Sequence, residues 1–436
     1  MNVVIQPPFA SRTFPGQWFW RLQKNPPEAL AQLAQQGPVI SLGVGKFRVV
    51  LISQAEFIHQ VLVKQAAKFS KGPGQKALRR LLGQGLLTSE GELHRTQRQW
   101  MQPVFQAQKV GSFAPEMVGC AEYLLRHWPE QGQILTGPEM TRLTLQIVGQ
   151  CLFGTDLEEE VGEVRAALQQ GMELARVANL PVSEWLERLY PPLRRRLQQT
   201  RQRLDAVVFR MLEEHQRCPH QDLLGRMLES PMCPELLRDE LMTLFLAGHE
   251  TTAHALTFAL YLLARHPQIQ QELRQELQTV CPEGQLQMEH LPQLVRTREA
   301  LLETLRLYPP AWVQARQAQE PVHLGPYRIE KGTLVLMSQY VMHRHPNYFE
   351  QADQFVPSRW QTHPRQSLPK GSYFPFGLGP RVCIGEHFAW LEMLLGLGTI
   401  LRHYELVSCP VAQPKLRPRV TLAAGQELPI LVRRLT

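Results

Sequence analysis

Cys383 is held in a glycine-punctuated loop, Phe376-Gly377-Leu378-Gly379-Pro380-Arg381-Val382-Cys383-Ile384-Gly385, with an arginine two residues before it. The stretch that follows, Glu386 to Arg402, is amphipathic to apolar and reads as a helix. Cys383 is therefore expected at a helix N-terminus. There the dipole and unpaired backbone N–H groups lower a thiol's pKa and favour the thiolate, a soft and electron-rich ligand for a metal. Glycines at 377, 379 and 385 would let the backbone lie flat against a planar ligand. The other six cysteines, Cys120, Cys151, Cys218, Cys233, Cys281 and Cys409, have neither C-x-x-C spacing nor a histidine at a zinc-like interval, and read as inert.

Three further groups of residues carry candidate chemistry. Ala247-Gly248-His249-Glu250-Thr251-Thr252 lies inside a long helical pattern, roughly Pro234 to Arg265. Glycine in a helix interior costs about 1 kcal/mol against alanine, and threonine hydroxyls bond back to the preceding turn. A local opening of the helix, like a π-bulge, is the expected effect. His249 and His254 read as structural or solvent-facing. His94-Arg95-Thr96-Gln97-Arg98 puts His94 and Arg98 one helical turn apart on one face. Glu303 and Arg306 form an i, i+3 acid–base pair, in isolation no more than a common solvated contact. Leu307-Tyr308-Pro309-Pro310 then stops that helix.

The elements that must position these residues can be outlined. Val39 to Ile52 reads as a hairpin about Gly43-Val44-Gly45-Lys46, and Ser53 with Glu56 reads as a capping box for the next helix. Helical periodicity dominates from about Ala114 to Arg306, with loops near 218–233 and 281–286. Short strands follow at Val322-His323-Leu324, Tyr327-Arg328-Ile329 and Leu334-Val335-Leu336-Met337, and the tail from Lys415 to Arg434 is again β-like. Helix-rich mass with a small β region argues for one α-dominated domain over 1–436. Seven cysteines and no signal peptide point to a reducing cytoplasm. The first 35 residues, broken by Pro7, Pro8, Pro15, Pro26 and Pro27, hold no apolar run of the roughly 20 residues that span a bilayer, so no transmembrane anchor is expected. The net charge of +8 comes without a nucleic-acid motif. It favours an acidic redox partner, docking near Arg95, Arg98, Lys109 and Arg381.

The ten residues from Phe376 to Gly385 match the haem-binding loop F-x-x-G-x-R-x-C-x-G of the cytochrome P-450 superfamily, and Ala389 and Glu392 fall at that family's A-x-x-E. Ala247 to Thr252 resembles its oxygen-activation segment A/G-G-x-D/E-T. Glu303 to Arg306 and Phe355-Val356-Pro357-Ser358-Arg359-Trp360 resemble its E-x-x-R and P-x-R segments, with Trp360 where Phe or Tyr is usual. His94 to Arg98 looks like the H-x-x-x-R form of its propionate clamp, whose first position is Trp in many relatives. The resemblance covers essentially the whole chain, with the motifs in family order.

The resemblance implies the mostly α, triangular fold with a small β lobe, with haem b between the oxygen-activation helix and the cysteine-loop helix. Cys383 would ligate the iron and push electron density onto it, which favours O–O cleavage. Phe376 and Gly385 belong to the same cofactor loop, and His94, Arg98, Arg316 and Arg381 would hold the propionates. Arg296 and Arg298 are near Arg316 in sequence; its place after Pro309-Pro310 favours it. Thr251 would hydrogen-bond bound dioxygen or its water, and Glu250 would relay protons. Glu303, Arg306 and Arg359 would form a buried ion cluster. Substrate contacts would come from Leu244, Ala247 and Thr251, from Ala311-Trp312-Val313, and from Lys71 to Leu87, where Gly72-Pro73-Gly74 suggests a mobile access loop.

The implied reaction is monooxygenation of an apolar small molecule of the fatty acid, terpenoid or carotenoid class. It uses dioxygen and electrons from a ferredoxin- or flavodoxin-like protein with its reductase, and the enzyme is expected to be a cytoplasmic monomer. Leu305 to Trp312 and Tyr373 to Gly377 look like a bacterial subgroup acting on such compounds. A peroxide-driven haem-thiolate hydroxylase and a non-catalytic haem sensor are the alternatives; neither explains the pair Glu250-Thr251.

Overall fold

The computed structural model describes residues 5–11, 17–42, 48–72, 75–154, 191–217, 223–410 and 414–435. The turn at Gly43-Val44-Gly45-Lys46, Pro73-Gly74 of the access loop and Cys218 lie outside the described residues. The chain sorts into two compact units.

The first unit holds Met1–Pro73, Leu302–Cys383 and Val420–Ala423. Its frame is a five-stranded sheet in the order Val39–Ser41, Val49–Ile52, Leu334–Met337, Gln314–Ala318, Phe69–Ser70. The expected hairpin forms, with Val39 opposite Ile52. Val49–Ile52 then pairs in parallel with Leu334–Met337, a partner nearly 300 residues on. The β-branched residues of these strands bury one face, where Val39, Val50, Ile52 and Val335 meet Phe57, Ile58, Val61 and Phe374. Ser53 does not cap the next helix. Its backbone N–H is still bonded across the hairpin to Pro38, so its hydroxyl donates to the Gly37 carbonyl at 3.0 Å. The helix Ala55–His59 starts from Gln54 with no side-chain cap, and the Tyr348 hydroxyl takes up the Ala55 N–H at 3.2 Å. That helix runs into a π-turn at Gln60–Lys64, closed by the Gln65 N–H on the Gln60 carbonyl at 2.8 Å.

The second unit holds Gly74–Leu301, Ile384–Arg419 and Ala424–Thr436. Its axis is the 32-residue helix Pro234–Arg265. Proline at the first turn and the break at His266-Pro267 set its ends where the sequence places them. Thr136–Phe153 and Glu386–His403 pack on it, and Ala114–Arg126 packs on both of these helices. Antiparallel strands Gln131–Leu135, Pro429–Arg434 and Tyr404–Ser408 form a small sheet. The loop expected near 218–233 contains a helix, Leu223–Leu228, because Leu224 and Met227 fall at helical spacing and bury together. The loop at 281–286 is present.

Candidate functional site

In the first unit the cysteine loop is built by its own backbone. The Gly377 N–H donates to the Phe374 carbonyl at 3.0 Å, the Val382 N–H to Gly379 at 3.0 Å and the Cys383 N–H to Phe376 at 2.9 Å. These bonds turn Cys383 outward: it is exposed and makes no disulfide, while Phe376, Arg381 and Arg316 are half-buried. Cys383 precedes the helix Glu386–His403 by three residues. The reason for glycine at 379 differs from the one its sequence suggests. Gly379 has φ +72°, and a Cβ there would run into the Leu62 carbonyl of the π-turn. Its missing side chain lets the loop seat on that turn rather than against a ligand.

The loop is tied to the expected ion cluster through a residue that sequence reasoning missed. The Phe374 N–H donates to His343 Nε2 at 2.9 Å, and the His343 carbonyl accepts from Arg306 at 2.8 Å. Burial, and then the Arg306 charge beside it, hold the His343 pKa well below its ordinary value. The ring therefore stays neutral and Nε2 remains an acceptor. Glu303 and Arg306 are wholly buried and meet through two bonds of 2.9 Å. Arg359 Nε reaches the same carboxylate at 2.9 Å, and the Val356 N–H reaches it at 3.0 Å. Trp360 explains its departure from the usual Phe or Tyr: its indole N–H donates to Glu303 at 3.0 Å, closing the second carboxylate oxygen. Arg306 also serves the carbonyls of Ala352 and Gln354, so all five of its N–H donors are used.

In the second unit the helix Pro234–Arg265 is buried from Leu237 to Leu246 except at Asp239, and again from Thr252 to Ala264 except at His254. Between them Ala247 is exposed, and Gly248, Glu250 and Thr251 are half-covered. No π-bulge opens here; the segment is continuous α-helix. The threonines do bond back, Thr251 Oγ1 to the Ala247 carbonyl at 2.9 Å and Thr252 Oγ1 to Gly248 at 3.4 Å. Gly248 serves packing instead of bulging, since a Cβ there would lie 3.0 Å from Val148 of the neighbouring helix. His249 is structural: it is buried and its Nδ1–H donates to the Phe245 carbonyl at 2.7 Å. His254 lies one turn from Glu250, with Nε2 3.6 Å from the carboxylate.

Glu392 of the helix Glu386–His403 is wholly buried, and neither carboxylate oxygen has a hydrogen-bond partner among the described residues. Burial raises its pKa well above 4.5, and the nearby Thr252 hydroxyl pulls in the other direction. Its folded pKa exceeds its unfolded one. Its contribution to stability is therefore complete below the unfolded value and is lost as pH rises through the folded one. Glu392→Gln keeps the neutral form at every pH. The thermal midpoint of the variant is expected to fall less than the parent's as pH rises above about 5. Parallel pH profiles would show that Glu392 ionises at no such expense.

His94 is buried on the helix Gly91–Met101 and Arg98 is half-buried one turn on. The stretch Lys71 to Leu87 is not one loop: the helix Gln75–Leu82 fills its middle. Beyond that helix the chain is pinned, with the Gln84 N–H on Asp239 at 2.6 Å, the Leu86 N–H on Glu240 at 2.8 Å and the Gln97 amide on the Gln84 carbonyl at 2.6 Å. Among the expected substrate contacts, Leu244 and Trp312 are buried, Ala311 and Val313 are half-buried and Ala247 is exposed. Gly385 is the N-cap of the helix Glu386–His403.

This residue set fits a haem. The first unit presents an exposed thiol on a loop held by its own backbone hydrogen bonds, with half-buried arginines near it in sequence, a donor set that suits a haem iron and the haem carboxylates. The comparisons agree. The family model for cytochrome P-450 matches residues 7–432. Over 415 residues the chain is 32% identical to a protein of Streptomyces melanosporofaciens named cyclooctatin synthase, covering 93% of this chain and 90% of that one. It is 29% identical to pentalenene oxygenase of Streptomyces avermitilis, covering 90% and 89%. It is 27% identical to the chloroplastic protein LUTEIN DEFICIENT 5 of Arabidopsis thaliana, covering 92% and 72%.

Proposed function

The chain belongs to the cytochrome P-450 family, a haem-thiolate monooxygenase by that membership, and we propose that it hydroxylates an apolar terpenoid. Substrate RH, dioxygen, two electrons and two protons give ROH and water. Haem b, when bound, supplies the activation of dioxygen at a thiolate-ligated iron. The electrons come from a redox partner, and in this reading a ferredoxin- or flavodoxin-like donor with its reductase takes that role. The terpenoid class is supported by relatives named cyclooctat-9-en-7-ol 5-monooxygenase and pentalenene oxygenase.

The observation that carries the reading is the break in burial at Ala247, Gly248, Glu250 and Thr251, in the middle of a helix that is mostly buried on either side. Cys383 would hold the cofactor, and His94, Arg98, Arg316 and Arg381 would hold its carboxylates. Leu244, Ala247, Ala311, Trp312 and Val313 offer apolar surface to the substrate. The Thr251 hydroxyl, whose proton points to the Ala247 carbonyl, keeps its oxygen available as an acceptor. Glu250, with His254 beside it, is a half-covered acid able to move protons from solvent to that hydroxyl. This acid–threonine pair counts against a peroxide-driven enzyme.

The test is turnover of a panel of cyclic terpenes and fatty acids by the reconstituted parent and by Thr251→Ala. The parent is expected to add one oxygen atom to a terpene and to shift its Soret band as that terpene binds. Thr251→Ala is expected to keep the shift but to lower product per reductant by about tenfold or more, with hydrogen peroxide appearing in solution. Unchanged coupling in Thr251→Ala removes the assignment of this hydroxyl; turnover of fatty acids alone removes the terpenoid.

A further inference from the structure

The helix Gln17–Lys24 is buried the wrong way round. Its buried residue is the polar Gln17, while Phe19 is 65% and Trp20 57% exposed. Phe9, in the segment just before it, is 76% exposed. Four Phe or Trp side chains are exposed among the described residues, and three of them are these. The described residues on either side of 12–16 are tied to the fold. The Trp18 indole donates to the Ser11 carbonyl at 2.8 Å, the Ser11 N–H to Gln36 at 2.9 Å, and the Ala10 N–H to Ser41 at the edge of the sheet at 2.9 Å. Arg21 donates to Gln32 of the next helix at 2.7 Å. Phe19, Trp20, Gln23 and Lys24 are thus held outward on one helical face.

Cations accompany these rings. The Lys24 ammonium lies 5.1 Å from the centre of the Trp20 ring and the Arg21 guanidinium 5.2 Å from that of Trp18. Residues 1–73 hold eight Lys or Arg against two Asp or Glu, a surplus of six in a chain whose whole surplus is +8. Glu28, bonded to Asn25 and Gln32, is the acid nearest in sequence.

We propose that this face docks in the plane of an anionic lipid bilayer, with Phe9, Phe19 and Trp20 at the acyl boundary and Lys24 at the level of the phosphates. An exposed Trp20 ring with the Lys24 ammonium over it suits that boundary, where one end of the side chain is apolar and the other wet. The surrounding positive charge adds attraction to anionic headgroups. A second copy of the chain is the poorer occupant, because a two-fold contact would set the same basic surface against itself. An acidic protein would satisfy the charge but not three projecting rings. No helix among the described residues is long and apolar enough to cross a membrane, so the contact lies on the bilayer.

The test is co-flotation of the haem-loaded protein with vesicles of phosphatidylcholine alone and of phosphatidylcholine mixed with phosphatidylglycerol. The parent is expected to float with the anionic vesicles, less so at raised salt, and poorly with the neutral ones. Phe19→Ser with Trp20→Ser is expected to lower the partition by about tenfold or more. Lys24→Glu should lower it by a smaller factor. Both sites are exposed, so the haem spectrum and thermal midpoint should match the parent. No flotation of the parent overturns the proposal, and so does flotation that ignores loss of both rings. A concentration-dependent dimer abolished by the double variant also overturns it, since the face would then be covered by a second copy.

Discussion

Cys383→Ser is expected to abolish both product formation and the absorbance band that marks a thiolate-ligated haem in the reduced, carbon-monoxide-treated protein. A serine hydroxyl stays protonated at neutral pH and is a hard oxygen donor. It lacks the electron push by which a thiolate favours O–O cleavage. The loop itself should survive, because its shape rests on the backbone bonds of Gly377, Val382 and Cys383 and not on the sulfur. Thermal unfolding of the variant without haem should therefore match that of the parent without haem, which separates lost chemistry from lost fold. Retention of the band would assign the iron to another side chain. Among the described cysteines, Cys120, Cys151 and Cys281 are poor replacements, each buried to 2% exposure or less. Burial also raises the thiol of Cys151 further from ionisation.

The elements most legible in the sequence are those in which local pattern and tertiary need coincide. The helix Pro234–Arg265 has a proline at one end, a His-Pro break at the other and apolar residues throughout. The strands Val322–Leu324, Tyr327–Ile329 and Leu334–Met337 are short β-branched or aromatic runs between turn residues. The pairing of Val49–Ile52 with Leu334–Met337 had no local signal, since nothing in either segment names a partner that distant. Ser53 shows the limit of a cap motif. The same hydroxyl can serve a helix or a hairpin, and the strand pairing decides.

Within the candidate site, the residue types are legible in the sequence, and their reasons only in the fold. Gly248 and Gly379 both read as accommodations to a ligand or a bulge, but one admits Val148 and the other admits the Leu62 carbonyl. The π-turn expected near Thr251 instead occurs at Gln60–Lys64, beneath the cysteine loop. Its sequence, Gln-Val-Leu-Val-Lys, offers no cue for a widened turn. His343 went unmarked in the sequence, and Glu392 was matched to the A-x-x-E pattern without a role, because the significance of both is burial, which composition does not reveal. One is a neutral acceptor linking the loop to an ion cluster, and the other is an acid kept from water beside Thr252.

The second large effect should come from that cluster. Arg306→Ala removes all five donors of a wholly buried guanidinium, leaving Glu303 two bonds short and three carbonyls, those of His343, Ala352 and Gln354, without that partner. Breaking a buried pair from one side costs on the order of 3–5 kcal/mol, because the remaining charge is stranded away from water. Arg359, Val356 and Trp360 still hold Glu303, so the low end of that range is expected. The damage should also reach the cofactor, because Arg306 anchors the His343 carbonyl and His343 anchors the Phe374 N–H at the root of the cysteine loop. Denaturant unfolding of the haem-loaded variant should show the lost stability, and haem transfer to an acceptor protein should be faster than from the parent. Arg306→Lys should recover little, since an ammonium cannot make the planar fork to Glu303 and reach three carbonyls at once. His343→Phe separates the two effects: it keeps the ion pair and the 343 carbonyl but removes the acceptor for Phe374, so it should speed haem loss with a smaller loss of stability. Haem loss unaffected by both Arg306→Ala and His343→Phe would mean that the cluster steadies the surrounding meander without gripping the loop.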